Sequence, residues 1–189
     1  MKKKIKLAIV GTGYFSKFHF DAWKRLGVDV TGICSLNIDE AKKQSYEFRN
    51  CKTYKSFTKM INDIEPDLVD IIVPPSKHLE LIRIAAEKKI NIICQKPFTN
   101  SLAQAKKAVD IAKKNKIIIA VHENFRFQPW FIKINKILKS NILGELFQVS
   151  FRMRPGDGQG PNAYLDRQPY FQNMKKFLIH ETAIHFIDL

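Results

Sequence analysis

Cysteine is scarce: the 189 residues hold three, Cys34, Cys51 and Cys94, with no CxxC pair among them. That leaves no dithiol redox motif, and Cys34 and Cys94 fall in apolar runs where a thiol packs as a small hydrophobe. Long hydrophobic runs are missing too, since no stretch approaches the roughly 18 uncharged apolar residues that a membrane helix needs. The basic start Met1-Lys2-Lys3-Lys4 leads into a short apolar run, interrupted by Lys6, that ends in glycines rather than in a small-residue cleavage site. A first strand is expected there, not a signal peptide, and with it a reduced, cytoplasmic protein with no membrane partner.

Acidic residues are outnumbered, 18 against 32 Lys and Arg, for a net charge of +14. The lysines come as dispersed pairs (Lys42-Lys43, Lys88-Lys89, Lys106-Lys107, Lys113-Lys114, Lys175-Lys176), the pattern of solvated helix faces. No nucleic-acid partner is expected; a nucleic-acid binder would instead show salt-sensitive retention on DNA. Hydrophobic residues at 45% and charged ones at 26% are ordinary for a globular protein, and the length allows one full domain plus part of a second.

Apolar runs alternate with amphipathic stretches, as in repeated βα units. The strands read as 4–10, 28–34, 68–73, 91–94 and 116–121, several nearly continuous in Ile, Val and Leu, as in strands covered on both faces. Helices are predicted over 15–26, 38–48, 57–64, 77–88 and 102–114. Ser56, Ser76 and Ser101 stand at their starts as caps, Ser101 with Gln104 in capping-box spacing. After Val121 the texture changes to a loop, a helix over 129–139, an alternating strand near 146–153, a polar loop to about Pro169 and a last helical stretch. The fold class is therefore α/β: a Rossmann-type doubly wound parallel sheet over residues 1–123, followed over 124–189 by the start of an incomplete α+β second domain, apparently truncated.

Gly11-Thr12-Gly13-Tyr14-Phe15-Ser16 follows the first strand and opens the first helix. Gly11 permits the tight turn, Gly13 lets a pyrophosphate approach the backbone, and a small residue, here Ser16, lets the helix sit close to the sheet. Nicotinamide dinucleotide binding follows. An NAD site carries Asp or Glu at the end of the second strand, where this chain has Ser35. The missing carboxylate removes the repulsion of a 2′-phosphate, and Lys42 or Lys43 are within sequence reach of one. The cofactor is accordingly NAD or NADP, with both expected to bind and a slight lean to NADP.

Three further clusters stand at strand ends and at the close of the chain: Cys94-Gln95-Lys96-Pro97, Asn124-Phe125-Arg126-Phe127-Gln128-Pro129, and Glu181 through Asp188. On one helix face Glu181, His185 and Asp188 fall at i, i+4 and i+7, and a carboxylate one turn from an imidazole fixes its tautomer. His180-Glu181 with His185 is one residue too long for a zinc HExxH, the two histidines lying about 140° apart around a helix. No metal is expected.

With the glycine turn, this order and spacing resemble the glucose-fructose oxidoreductase and inositol dehydrogenase family (Gfo/Idh/MocA) over essentially the whole chain. The resemblance implies an NAD(P)-dependent dehydrogenase or reductase transferring a hydride between nicotinamide and a secondary hydroxyl of a sugar, polyol or related compound. It implies Lys96, Glu181 and His185 as the acid-base group, and Gly11, Gly13, Tyr14, Phe15, Ser35, Pro74, His78, Gln95, Lys96 and Asn124 along the cofactor. It further implies a homo-oligomer in the full-length form. Two positions depart from the family pattern: Gln95 replaces the usual Glu and Glu181 the usual Asp. They leave open the alternative of a non-catalytic NAD(P)-binding sensor or regulatory protein on the same fold. His78 and His122 read equally as capping or packing histidines, Phe125, Phe127, Trp130 and Phe131 as core, and Arg152, Arg154, Asp157, Tyr164 and Arg167 as candidates for substrate contacts.

Overall fold

The computed structural model describes residues 4–152 and 160–189. It divides into two compact units, Met1–His122 and Glu123–Leu189. The first is a six-stranded parallel sheet built from β1 (Leu7–Val10), β2 (Val30–Cys34), β3 (Lys52–Tyr54), β4 (Leu68–Ile71), β5 (Asn91–Gln95) and β6 (Ile119–His122), in the order β3-β2-β1-β4-β5-β6. Between them run α1 (Ser16–Arg25), α2 (Ile38–Ser45), α3 (Phe57–Ile64), α4 (His78–Glu87) and α5 (Leu102–Asn115).

Alternation along β1 sets both faces of the sheet. Ala8 and Val10 join Met60 and Ile61 of α3, Ile82, Ala85 and Ala86 of α4, and Ala108 and Ala112 of α5 in one cluster. Leu7 and Ile9 join Phe20 of α1 and Ala41 of α2 in the other. Helices on both faces explain why a strand as short as Leu-Ala-Ile-Val is buried throughout. β3 is the strand that sequence reading missed: three residues at the sheet edge, with only Tyr54 buried, carry too little hydrophobic signal.

Capping agrees with the sequence at Ser56, which accepts from Lys59 N–H, and at Ser101, which accepts from Gln104 N–H while the Gln104 side chain accepts from Asn100 N–H. Ser76 differs. It lies inside a 3-10 turn, Pro75–Lys77, so α4 starts at His78 with no side-chain cap.

The second unit contains α6 (Pro129–Lys139), a 3-10 turn (Pro169–Asn173), a π-helical turn (Leu178–Ala183) and α7 (Ile184–Ile187). Tyr164, Tyr170, Phe171 and Phe177 pack as an aromatic cluster around buried Phe171. The strand expected near 146–153 is absent over residues 146–152, and Met153 lies outside the described residues. Its alternating pattern, Leu146, Phe147, Val149, Phe151, is exposed, and the described residues of the second unit contain no strand to pair with it. Of the aromatic stripe expected in a core, Phe127 and Trp130 are exposed, whereas Phe125 stacks on Phe131.

Candidate active site

Strand order reverses between β1 and β4: the chain winds outward from β1 through β2 to β3, then returns to β4 on the other side. In an open parallel sheet the crevice outside the carboxyl ends of those two strands is where ligands bind. Gly11 stands at its floor with φ 112° and donates its N–H to Cys34 O at 2.9 Å; an added Cβ would lie 2.0 Å from Ile72 O. No side chain fits there. Gly13 is the opposite case, since an added Cβ would meet nothing within 4 Å. Packing does not demand glycine at 13, so the open backbone is available to a ligand. Ser16 is buried at the first position of α1 and its Oγ donates to Gly13 O at 2.7 Å, closing the turn.

A cavity of about 770 Å³ opens on this turn, lined by Gly11, Thr12 and Gly13, by Ser35, Leu36 and Asn37 after β2, by Lys55 and Phe57 after β3, and by Val73, Pro74, Ser76 and Lys77 after β4. Its size and its run along the ends of four neighbouring strands fit a dinucleotide. Ser35 Oγ lies 2.6 Å from Thr12 Oγ1 and accepts from Asn37 N–H, so it ties the glycine turn to the end of β2. Neither Lys42 nor Lys43 lines the cavity; its cations are Lys55 and Lys77, and its acids Glu40 and Glu80, Lys77 being paired with Glu80 at 3.2 Å. Cys34 also lines it, and burial pushes that thiol up to about 11, so it stays protonated and inert as a nucleophile.

Of the residues expected along the cofactor, Gly11, Gly13, Ser35 and Pro74 line the cavity, and Tyr14, Phe15, His78, Gln95 and Lys96 do not. Tyr14 and Phe15 pack edge-on at the entry to α1, with Lys17 over the Tyr14 ring. His78 is fully buried behind Pro74-Pro75. Its Nε2 faces Val73 O at 2.7 Å and its Nδ1 faces Phe98 O at 3.0 Å, so it joins the segment after β4 to the segment after β5. Two carbonyls would favour the doubly protonated ring, yet burial outweighs them and holds the imidazole below its ordinary range. Lys96 follows directly after β5, its peptide to Pro97 is cis, and its N–H donates to Gln95 Oε1 at 2.7 Å.

In the second unit His185 is buried on α7. Its Nδ1 donates to Glu123 Oε1 at 2.6 Å, the same oxygen accepts from Phe125 N–H at 2.9 Å, and the Phe125 ring stacks on the imidazole at 3.9 Å. Glu123 therefore holds the tautomer that the sequence assigned to Glu181 to hold, leaving the lone pair on Nε2. Nothing in the sequence pointed to Glu123, which falls in a loop 62 residues away from His185. Glu181 is buried in the π-helical turn, where wider winding replaces the α-helical spacing assumed for it. Its charge, after burial, helps raise Tyr170 to about 12. Asp188 is not part of this pair: Arg126 grips it with Nε and Nη2 and holds its carboxyl below the usual range. Asn124 begins the 3-10 turn Phe125–Phe127 beside Glu123. Among the proposed substrate contacts, Arg154 and Asp157 lie outside the described residues.

Strand order, crevice and glycine turn define the first unit as a dinucleotide-binding Rossmann domain. The sequence profile of Gfo/Idh/MocA, described as an oxidoreductase family with an NAD-binding Rossmann fold, matches residues 5–123, and the chain belongs to that family. The resemblance read from the motifs is thereby upheld, and so is the cofactor class. Two curated relatives carry the name D-apiose dehydrogenase: one from Paraburkholderia graminis, 30% identical over 99% of this chain and 49% of its own length, and one from Rhizobium rhizogenes, 32% identical over 98% and 53%. A solved oxidoreductase from Agrobacterium radiobacter, in complex with NAD+, L-tartaric acid and magnesium, superposes with a TM-score of 0.86 at 32% identity, over 98% of this chain and 53% of that one. The chain thus spans about half the length of the relatives it matches. Among the described residues no helix is long and apolar enough to cross a membrane, and no group of three or more His, Cys, Asp or Glu is placed to hold a metal ion.

Proposed function

We propose that this chain supplies the cofactor domain, and the first part of the catalytic domain, of an NAD(P)-dependent dehydrogenase acting on a secondary hydroxyl of a sugar or polyol. The observation that carries the reading is the cavity at the switch point, where Gly11 cannot bear a side chain and Gly13 leaves backbone exposed to a ligand. Gly11, Gly13, Ser35 and Pro74 would hold the dinucleotide. When bound, that cofactor supplies the acceptor or donor of hydride.

The chain's own residues handle position and protons. Lys96, at the carboxyl end of a central strand, is assigned the hydrogen bond to the reacting hydroxyl, and His185, with Glu181, the removal of its proton. Glu123 pins Nδ1–H of His185, which directs proton transfer to Nε2. The names of the two curated relatives make D-apiose the first substrate to try, followed by a panel of polyols. Both NAD and NADP are expected to bind, because Ser35 offers no carboxylate to repel a 2′-phosphate.

Lys96→Met should leave cofactor affinity within about threefold while abolishing turnover, a loss on the scale of general acid-base catalysis. Cofactor fluorescence titration and steady-state assays measure the two. Full activity in the variant would remove Lys96 from the assignment. A preference for NAD beyond about a hundredfold, or roughly 2.7 kcal/mol, would remove the NADP lean. Gln95 and Glu181 favour one rival, a sensor that binds cofactor and reduces nothing; reduction of the cofactor by any sugar or polyol would overturn it.

A further inference from the structure

The first unit also buries a set of polar groups that hydride transfer does not itself require. Asp70, in β4, has no exposed surface, and its Oδ2 accepts from His19 Nδ1–H at 2.9 Å and from Trp23 Nε1–H at 2.7 Å. His19, buried on α1, presents Nε2 to two groups at 3.0 Å each, Gln95 Nε2 from β5 and His122 Nδ1 from β6. Gln95 Oε1 in turn accepts from Lys96 N–H at 2.7 Å. Helix α1 and three strands therefore meet at one imidazole, while the other Asp70 oxygen, Oδ1, is buried without a hydrogen-bond partner among the described residues.

The protons follow by elimination. A backbone N–H is a donor and nothing else, so Lys96 obliges the Gln95 amide to turn its oxygen toward the main chain and its NH2 toward His19. An NH2 at 3.0 Å needs a lone pair on His19 Nε2. The ring proton must then sit on Nδ1, where the Asp70 carboxylate accepts it. His122 Nδ1 donates to the same lone pair, and its 3.5 Å approach to Gln95 Nε2 is a contact between two donors rather than a bond. The opposite tautomer, or the imidazolium, would set N–H against NH2.

We propose that His19 is a positioning residue for Lys96. With its proton pinned by Asp70, its Nε2 holds the Gln95 amide, and the amide oxygen fixes the main chain of Lys96 where β5 gives way to the Lys96-Pro97 turn. Glutamine at 95 sets this state: a carboxylate there would accept rather than donate, and would draw a second proton onto His19. The meaning for turnover rests on the assignment of Lys96 above; the hydrogen-bonded chain itself does not.

Nitrogen-15 NMR of the histidine-labelled 189-residue chain reads the tautomer directly. At pH 7, His19 is expected to show a protonated Nδ1 and a bare Nε2; an imidazolium, or the reverse tautomer, overturns the proposal. Gln95→Glu should convert His19 to the doubly protonated form at the same pH, and an unchanged spectrum overturns the role of the amide. Hydrogen exchange then tests the link to Lys96. His19→Asn, which keeps a donor for Asp70 but withdraws Nε2, should speed exchange of the Lys96 amide at least ~10-fold relative to those of Ile92 and Ile93. His19→Gln, whose amide oxygen reaches toward the Nε2 position, should restore protection to within about threefold. Unaltered protection in His19→Asn overturns the positioning role. Should that variant fail to fold, the wild-type and Gln95→Glu spectra decide. None of these readouts needs turnover, so a failed substrate assignment and a failed His19 assignment are separately visible.

Discussion

Gly11 is held at φ 112° with Ile72 O already in the space a methyl group would take. Gly11→Ala should destabilise the chain by about 3 kcal/mol or more, combining a left-handed backbone with a core clash, as a urea midpoint would show. His78 gives a pH dependence with a definite sign. Burial depresses its folded pKa, so above the ordinary histidine range neither folded nor unfolded chain carries the proton and nothing is lost. Below that range the unfolded chain takes up a proton that the folded one refuses, and stability falls by up to about 1.4 kcal/mol per pH unit until the folded pKa is reached. Urea midpoints at pH 7.5 and 5.5 should therefore separate in the wild type and draw together in His78→Gln. Glu123→Gln should lower turnover by about 10²-fold with cofactor affinity unchanged, because the amide no longer charges the pair that fixes His185. The glycine turn was legible because its spacing follows a strand and opens a helix, and Lys96 was legible only as a position at a strand's carboxyl end. Glu123 and Asp70 were not, since a carboxylate's partner across 62 or 51 residues leaves no local pattern.

Among the elements, α3 and α6 lie where they were expected, α3 starting after its Ser56 cap and α6 with Pro129 at its first position. β3 and the strand expected near 146–153 show the two ways a short segment misleads. Lys52–Tyr54 is a strand because β2 offers it an edge, whereas the described residues of the second unit hold no strand to which the alternating 146–152 segment could be added. Pairing, which decides both cases, is a tertiary fact. Helix starts behave more locally. Ser101→Ala should cost about 1 kcal/mol through the lost bond to Gln104 N–H, with the denaturant slope unchanged because the surface exposed on unfolding stays the same. Ser76→Ala should cost little by comparison, because Ser76 lies within the 3-10 turn and caps nothing.

At the scale of the whole molecule, both apolar clusters lie between Leu7 and Ile119, inside the first unit. A chain of residues 1–122 should therefore fold by itself. At a hundredfold excess over its dissociation constant, NADH should stabilise it by about 2.7 kcal/mol, raising its melting temperature by roughly 10 °C. A scan with and without cofactor measures this; no shift would place essential cofactor contacts beyond residue 122. The walls of the cavity come wholly from residues 10 to 81. The lining is thus one unbroken stretch of chain that ends before β5 begins, and a single cut in the segment between α5 and β6 would leave all of its walls on one piece.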